Sequence, residues 1–98
     1  MPRVHWLDSA LADLDTILSH IAEHNAQAAY SLYEDIDRMT AALPDRPYLY
    51  RRGRVSGTRE LVIHPNYYVV YRLVNAEIQI LRVMHSRQQY PKRVKHST

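Results

Sequence analysis

The chain has 98 residues, 46% of them hydrophobic, and a formal net charge of +3, which fits a single domain, residues 1–98, built on one modest core. The absence of cysteine excludes disulfides and thiolate metal sites. No stretch approaches the roughly 20 apolar residues of a membrane span and no signal-peptide pattern opens the chain, so the expected location is cytoplasmic, with no membrane partner.

Residues 3–6, RVHW, read as a short first strand with Val4 and Trp6 on one face. Asp8 or Ser9 then offers an N-cap for a helix over about residues 8–23, whose apolar stripe runs Leu7, Leu11, Leu14, Leu18, Ile21. Asn25 offers the cap of a second helix over about residues 26–43, with Ala29, Leu32, Ile36, Met39 and Leu43 repeating every three or four positions and Pro44 as its stop. The short link between them predicts an antiparallel helical hairpin, with Tyr30 and Tyr33 at the edge of the core. Residues 44–58, PDRPYLYRRGRVSGT, read as a loop that holds both glycines of the chain together with Arg46, Arg51, Arg52 and Arg54. Such a loop is either a binding element or a solvated crossover into the sheet.

Three strands follow: RELVIH (59–64), YYVVYRL (67–73) and IQILRVMH (78–85), separated by Pro65-Asn66 and by a polar turn around Asn75. They predict an antiparallel meander with one face packed on the helices and the other half open, carrying the polar groups. Strict alternation puts Tyr67, Val69, Tyr71 and Leu73 opposite in direction to Tyr68, Val70 and Arg72. It likewise groups Ile78, Ile80, Arg82 and Met84 against Gln79, Leu81, Val83 and His85. The basic tail beyond them is expected to be flexible over residues 92–98.

Charge is divided unevenly. Residues 1–44 hold two basic and seven acidic side chains, whereas residues 45–98 hold eleven basic and three acidic ones, nine of the eleven being Arg. Arginine presents a planar fork suited to phosphate, so Arg51, Arg52, Arg54, Arg59 and Arg72 are candidates for contacting nucleic acid or another target. Glu60, beside Arg59, reads as an ion-pair partner across the strands, and Tyr67, Tyr68 and Tyr71 serve either sheet packing or base stacking. His64, His85 and His96 lack metal-ligand spacing and there is no glycine-rich phosphate loop, so neither a metal nor a cofactor is expected.

At GTRELVIHPNYYVVYRL, followed by IQILRVMHSRQQYP, the chain resembles the RelE/ParE superfamily of toxins from bacterial type II toxin–antitoxin modules, also known as plasmid stabilisation proteins. The matching features are a strand opening G-x-R-E-L, a V-V-Y-R strand, and an I-L-R-V-x-H strand with an aromatic-Pro pair just after it. With the strand ending at Trp6 and the helical A-L-A-D-L, the resemblance spans residues 2–91. It implies an α+β fold: a short first strand at the sheet's edge, a helical hairpin, and a three-stranded antiparallel meander packed on the helices. It also implies a cognate antitoxin that covers the toxin in a hetero-oligomer. Two activities occur on this fold. RelE-like members are metal-independent endoribonucleases that cut messenger RNA on the ribosome, and ParE-like members inhibit DNA gyrase. For a ribonuclease the resemblance points to Arg82, His85, Arg87 and Tyr90 as catalytic: an arginine for the phosphate, the histidine for proton transfer, the tyrosine for stacking or acid assistance. Leu61 and Tyr68 fall where basic groups are expected in that branch, which tilts the reading toward gyrase inhibition. A non-toxic nucleic-acid-binding module is the third alternative, allowed by the charge division.

Overall fold

The computed structural model describes residues 2–91, so the basic tail expected to be flexible and His96 lie outside the described residues. The first strand, β1 (Arg3–Trp6), half-buries Val4 and Trp6 on one side, and lies parallel to the last strand with Val4 opposite Ile78 and Trp6 opposite Ile80.

Helix α1 (Asp8–Ala22) begins one residue earlier than a cap at Asp8 requires and two earlier than a cap at Ser9. Leu7 takes the cap position without a side-chain hydrogen bond, and its N–H donates to the Ile80 carbonyl at 3.0 Å. Continuity with the sheet therefore sets the start of the helix. The buried stripe is rotated accordingly: Ala10 is fully buried and Leu14, Ile17, Leu18 and Ile21 pack on the core, while Leu11 is 49% exposed. Alanine at position 10 lets the first turn approach the sheet closely.

Helix α2 (Ala26–Ala41) is capped by Asn25, whose Oδ1 accepts the Ala28 N–H at 3.0 Å, and it buries Ala29, Leu32 and Ile36 as the spacing predicts. It stops two residues short of the expected end. Pro44 has no N–H to donate to the Thr40 carbonyl, and the chain tightens into a 3₁₀ turn, Leu43–Asp45, that still delivers Leu43 to the core.

The sheet has five strands in the order β1-β5-β4-β3-β2, with β2 (Arg51–Arg52), β3 (Arg59–His64), β4 (Tyr67–Val74) and β5 (Glu77–His85) joined antiparallel. Strand β2 lies inside the segment expected to be loop. Two residues are too few to show alternation in sequence, and only pairing with β3 defines them as a strand. The β4–β5 turn holds Asn75 and Ala76 at φ of 50° and 60°, the positive-φ pair of a two-residue hairpin.

The strict alternation expected for the last strand fails at a bulge. Val70 pairs with Arg82 but Tyr71 pairs with Ile80, so Leu81 is the extra residue. Before it, Ile78 and Ile80 face the helices; after it, Val83 does, joining Leu61, Val69 and Tyr71 in the helix-facing core. Arg82 and Met84 are thereby separated from Ile78 and Ile80, and Met84 joins Tyr68 and Val70 in a second cluster on the open face, with Leu81 and Tyr90 packed against it.

Candidate functional site

The open face is built around Glu60, which is 2% exposed. A buried carboxylate needs compensating donors, and the short β2 and the turn after it supply them. Arg51 Nη2 lies 2.8 Å and its Nε 3.1 Å from Glu60 Oε1. The Arg54 N–H donates to Oε2 at 3.1 Å and its guanidinium Nε is 3.4 Å away. The partner of Glu60 is thus not Arg59: neighbours along a strand face opposite sides, and Arg59 points to the helix side.

Tyr68 lies beside this ion pair. Arg54 sits over its ring at 4.8 Å and Arg51 at 5.9 Å, and Arg54 Nη1 donates to the Tyr68 hydroxyl at 3.0 Å. Burial pushes the Tyr68 pKa up, with Arg54 acting against the rise. Tyr90, which follows β5, packs over the same cluster; burial pushes its pKa up too, opposed first by Arg82.

Arg82 is held by Asp13 of α1. Its Nε and Nη2 donate to the two carboxylate oxygens at 2.7 and 3.0 Å, and this bond holds the guanidinium above its ordinary pKa. Asp13 Oδ2 also accepts the Val83 N–H at 3.0 Å, and Ser9 Oγ donates to the Leu81 carbonyl at 2.7 Å. Strand β1 pairs with β5 only as far as Ile80, so α1 side chains satisfy the edge that β1 leaves open.

His85 ends β5. Its Nδ1 accepts the Arg87 N–H at 3.0 Å, which puts the ring proton on Nε2, and its ring meets Tyr67 edge-on at 5.0 Å. Tyr67 meets His64 in the same way at 5.1 Å.

The structure therefore divides the sequence candidates. Arg51, Arg54, Arg82 and Tyr90 gather on or beside the open face; His85, against Tyr67, turns to the helix side at the end of β5, with Arg87 in the turn beyond it; Arg52 and Arg59 also face the helix side, and Arg72, on the open face by alternation from Val70, is engaged with Gln79 through Nε at 2.8 Å. Leu61, which falls where a basic group is expected in the ribonuclease branch, is fully buried in the helix-facing core, and Glu60 holds the neighbouring open-face position. Asp13 escaped sequence reasoning altogether: it lies off the apolar stripe and 69 residues from its partner. Glu60 was detectable, because alternation alone separates it from Arg59.

The chain from residue 4 to 90 matches the family model described as ParE toxin of type II toxin–antitoxin system, parDE. Y4kP of Sinorhizobium fredii, a toxin by name, is 35% identical over 91% of this chain and 93% of its own length. Toxin RelE2 of Caulobacter vibrioides is 31% identical over 88% of this chain and 97% of its own. A solved structure described as the chromosomal ParDE TA system from P. aeruginosa aligns at a TM-score of 0.77 and 28% identity, over 87% of this chain and 96% of that one.

Proposed function

The chain belongs to the ParE toxin family of type II toxin–antitoxin systems, within the RelE/ParE superfamily, and from that premise we propose that it arrests growth in the cytoplasm by binding DNA gyrase. The observation that carries this reading is the commitment of the arginines around Tyr68 and Tyr90 to carboxylates: Arg51 and Arg54 to Glu60, Arg82 to Asp13. Cleavage of RNA without a metal needs a cation ready to meet the extra charge of the transition state. Here each such guanidinium would first have to leave a carboxylate. Binding a protein target asks less, since its energy is spread over an interface with a few anchors, and Leu81 and Tyr90, half-buried over the buried Tyr68 and Met84, offer apolar anchors. The solved relative from P. aeruginosa is a ParDE system, and the same reading gives this chain a cognate antitoxin and a toxin–antitoxin hetero-oligomer.

One observation favours the ribonuclease as a second reading: Tyr90 lies within the field of both Arg82 and Arg54 on the open face. A supercoiling assay with purified chain and gyrase, run beside primer-extension mapping of transcripts after expression without antitoxin, separates the two. Gyrase inhibition with intact transcripts is the expected result. Cut transcripts that disappear in Tyr90→Phe, with gyrase unaffected, would replace it with the ribonuclease.

A further inference from the structure

Arg52 and Arg59 are direct cross-strand partners. Like charges placed opposite each other on a sheet oppose folding. Among the described residues no carboxylate pairs with Arg52 or Arg59, in contrast to Arg51, Arg54 and Arg82. Arg59 is fixed by two backbone carbonyls, Nη1 donating to Tyr50 at 2.8 Å and Tyr48 at 3.2 Å, and it lies 5.2 Å over the Tyr48 ring. Its Nε and Nη2 have no partner among the described residues. Arg52 and Arg59 line one concavity of about 380 Å³, which the Gly53–Thr58 turn closes on one side and Tyr48 on another; Arg72 borders it, with its guanidinium engaged by Gln79 on the opposite face. That volume lies within the range of small-molecule sites, roughly 300–1,000 Å³, and no acidic side chain lines it.

We propose that this pocket binds the phosphate of a small phosphorylated molecule, on the side of the sheet away from the Glu60–Tyr68–Tyr90 face. Arg59 is the preset donor, since its carbonyl contacts lock its rotamer. Arg52 adds charge beside it, and an anion between the two relieves the Arg52–Arg59 repulsion. Tyr71, whose hydroxyl donates to the Pro47 carbonyl at 2.8 Å, anchors the loop that forms the wall. The proposal is independent of the choice between gyrase and RNA.

The test is a titration of the ¹⁵N-labelled full-length chain with inorganic phosphate, with ATP and with a single-stranded oligonucleotide, following the amide resonances of Gly53, Gly57 and Thr58. Saturable shifts with phosphate or ATP are expected, with Kd raised at least tenfold in Arg52→Gln and in Arg59→Gln and unchanged in Arg38→Gln on α2. Circular dichroism confirms folding of each variant. Saturation by both anions identifies the phosphate alone as the recognised group, and saturation by ATP alone identifies a nucleotide as its source; both support the site. Absence of saturation by either, shifts centred on Glu60 and Arg82, indifference to the variants, or saturation by the oligonucleotide alone would overturn it.

Discussion

Asp13→Ala removes three interactions at once, the two hydrogen bonds from Arg82 and the one from the Val83 N–H, whereas Arg82→Ala removes only the first two. A hydrogen bond to a charged group contributes about 1.5–3 kcal/mol when shielded from water. Arg82 is 39% exposed and Asp13 17%, so their pair is discounted toward the roughly 1 kcal/mol upper range of a surface ion pair, giving about 1–2 kcal/mol for Arg82→Ala. Asp13→Ala loses the same and also strands a strand N–H beside the buried Val83, which adds about 1–3 kcal/mol. At about 4–8 °C per kcal/mol for a domain of this size, the two variants should differ by several degrees in Tm. Urea unfolding followed by circular dichroism checks this, provided the m-values agree. Asp13→Asn should recover the Val83 part of the loss and little of the Arg82 part, and the double variant should resemble Asp13→Ala. Equal destabilisation by Asp13→Ala and Arg82→Ala would refute the claim that Asp13 closes the edge of β5 as well as holding the arginine.

Three further outcomes are expected. Ala76→Gly should raise stability by about 1 kcal/mol, because alanine at φ of 60° bears a steric strain that glycine lacks; no change in Tm would contradict it. Glu60→Gln sets an amide N–H₂ against either Arg51 or the Arg54 N–H and should lower stability by about 2 kcal/mol in a chemical melt, with an unaltered melt as the contrary result. Burial pushes the Tyr71 pKa up to about 12, opposed by Arg59. The unfolded chain gives up that proton near pH 10 and the fold retains it, so stability is fully present below pH 10 and falls as pH rises toward 12, by on the order of 2–3 kcal/mol. Tyr71→Phe should flatten that fall in a pH series of melts, and an unchanged slope would remove Tyr71 as its cause.

Both helices and the three long strands are legible in the sequence because each carries a repeated pattern: Ala29, Leu32 and Ile36 on α2, Tyr67, Val69 and Tyr71 on β4. The family resemblance rested on those same strands, and the match over residues 4–90 agrees with it. What escaped is what no local pattern encodes. The bulge at Leu81 breaks the alternation of β5 through pairing with β4, so Arg82 and Val83 could not be assigned to faces from spacing. The pairing of Arg82 with Asp13 joins residues far apart in sequence, as does the burial of Leu61 under the helices. The basic character of residues 45–98 was visible, but its division into neutralised and unneutralised arginines required the register of a two-residue strand.

That register has a consequence for how the chain can vary in length. Surface turns ordinarily absorb insertions and deletions, and the Gly53–Thr58 turn is exposed along much of its course. Here a change of one residue between Arg52 and Arg59 would slide β2 against β3 by one position. Arg51 and Arg52 would exchange faces, Glu60 would lose its guanidinium partner, and the helix side would gain or lose a cation. Related chains that keep a buried acid at position 60 should therefore hold this turn at constant length, and drift in length should collect instead at turns whose flanking residues carry no charge to be matched.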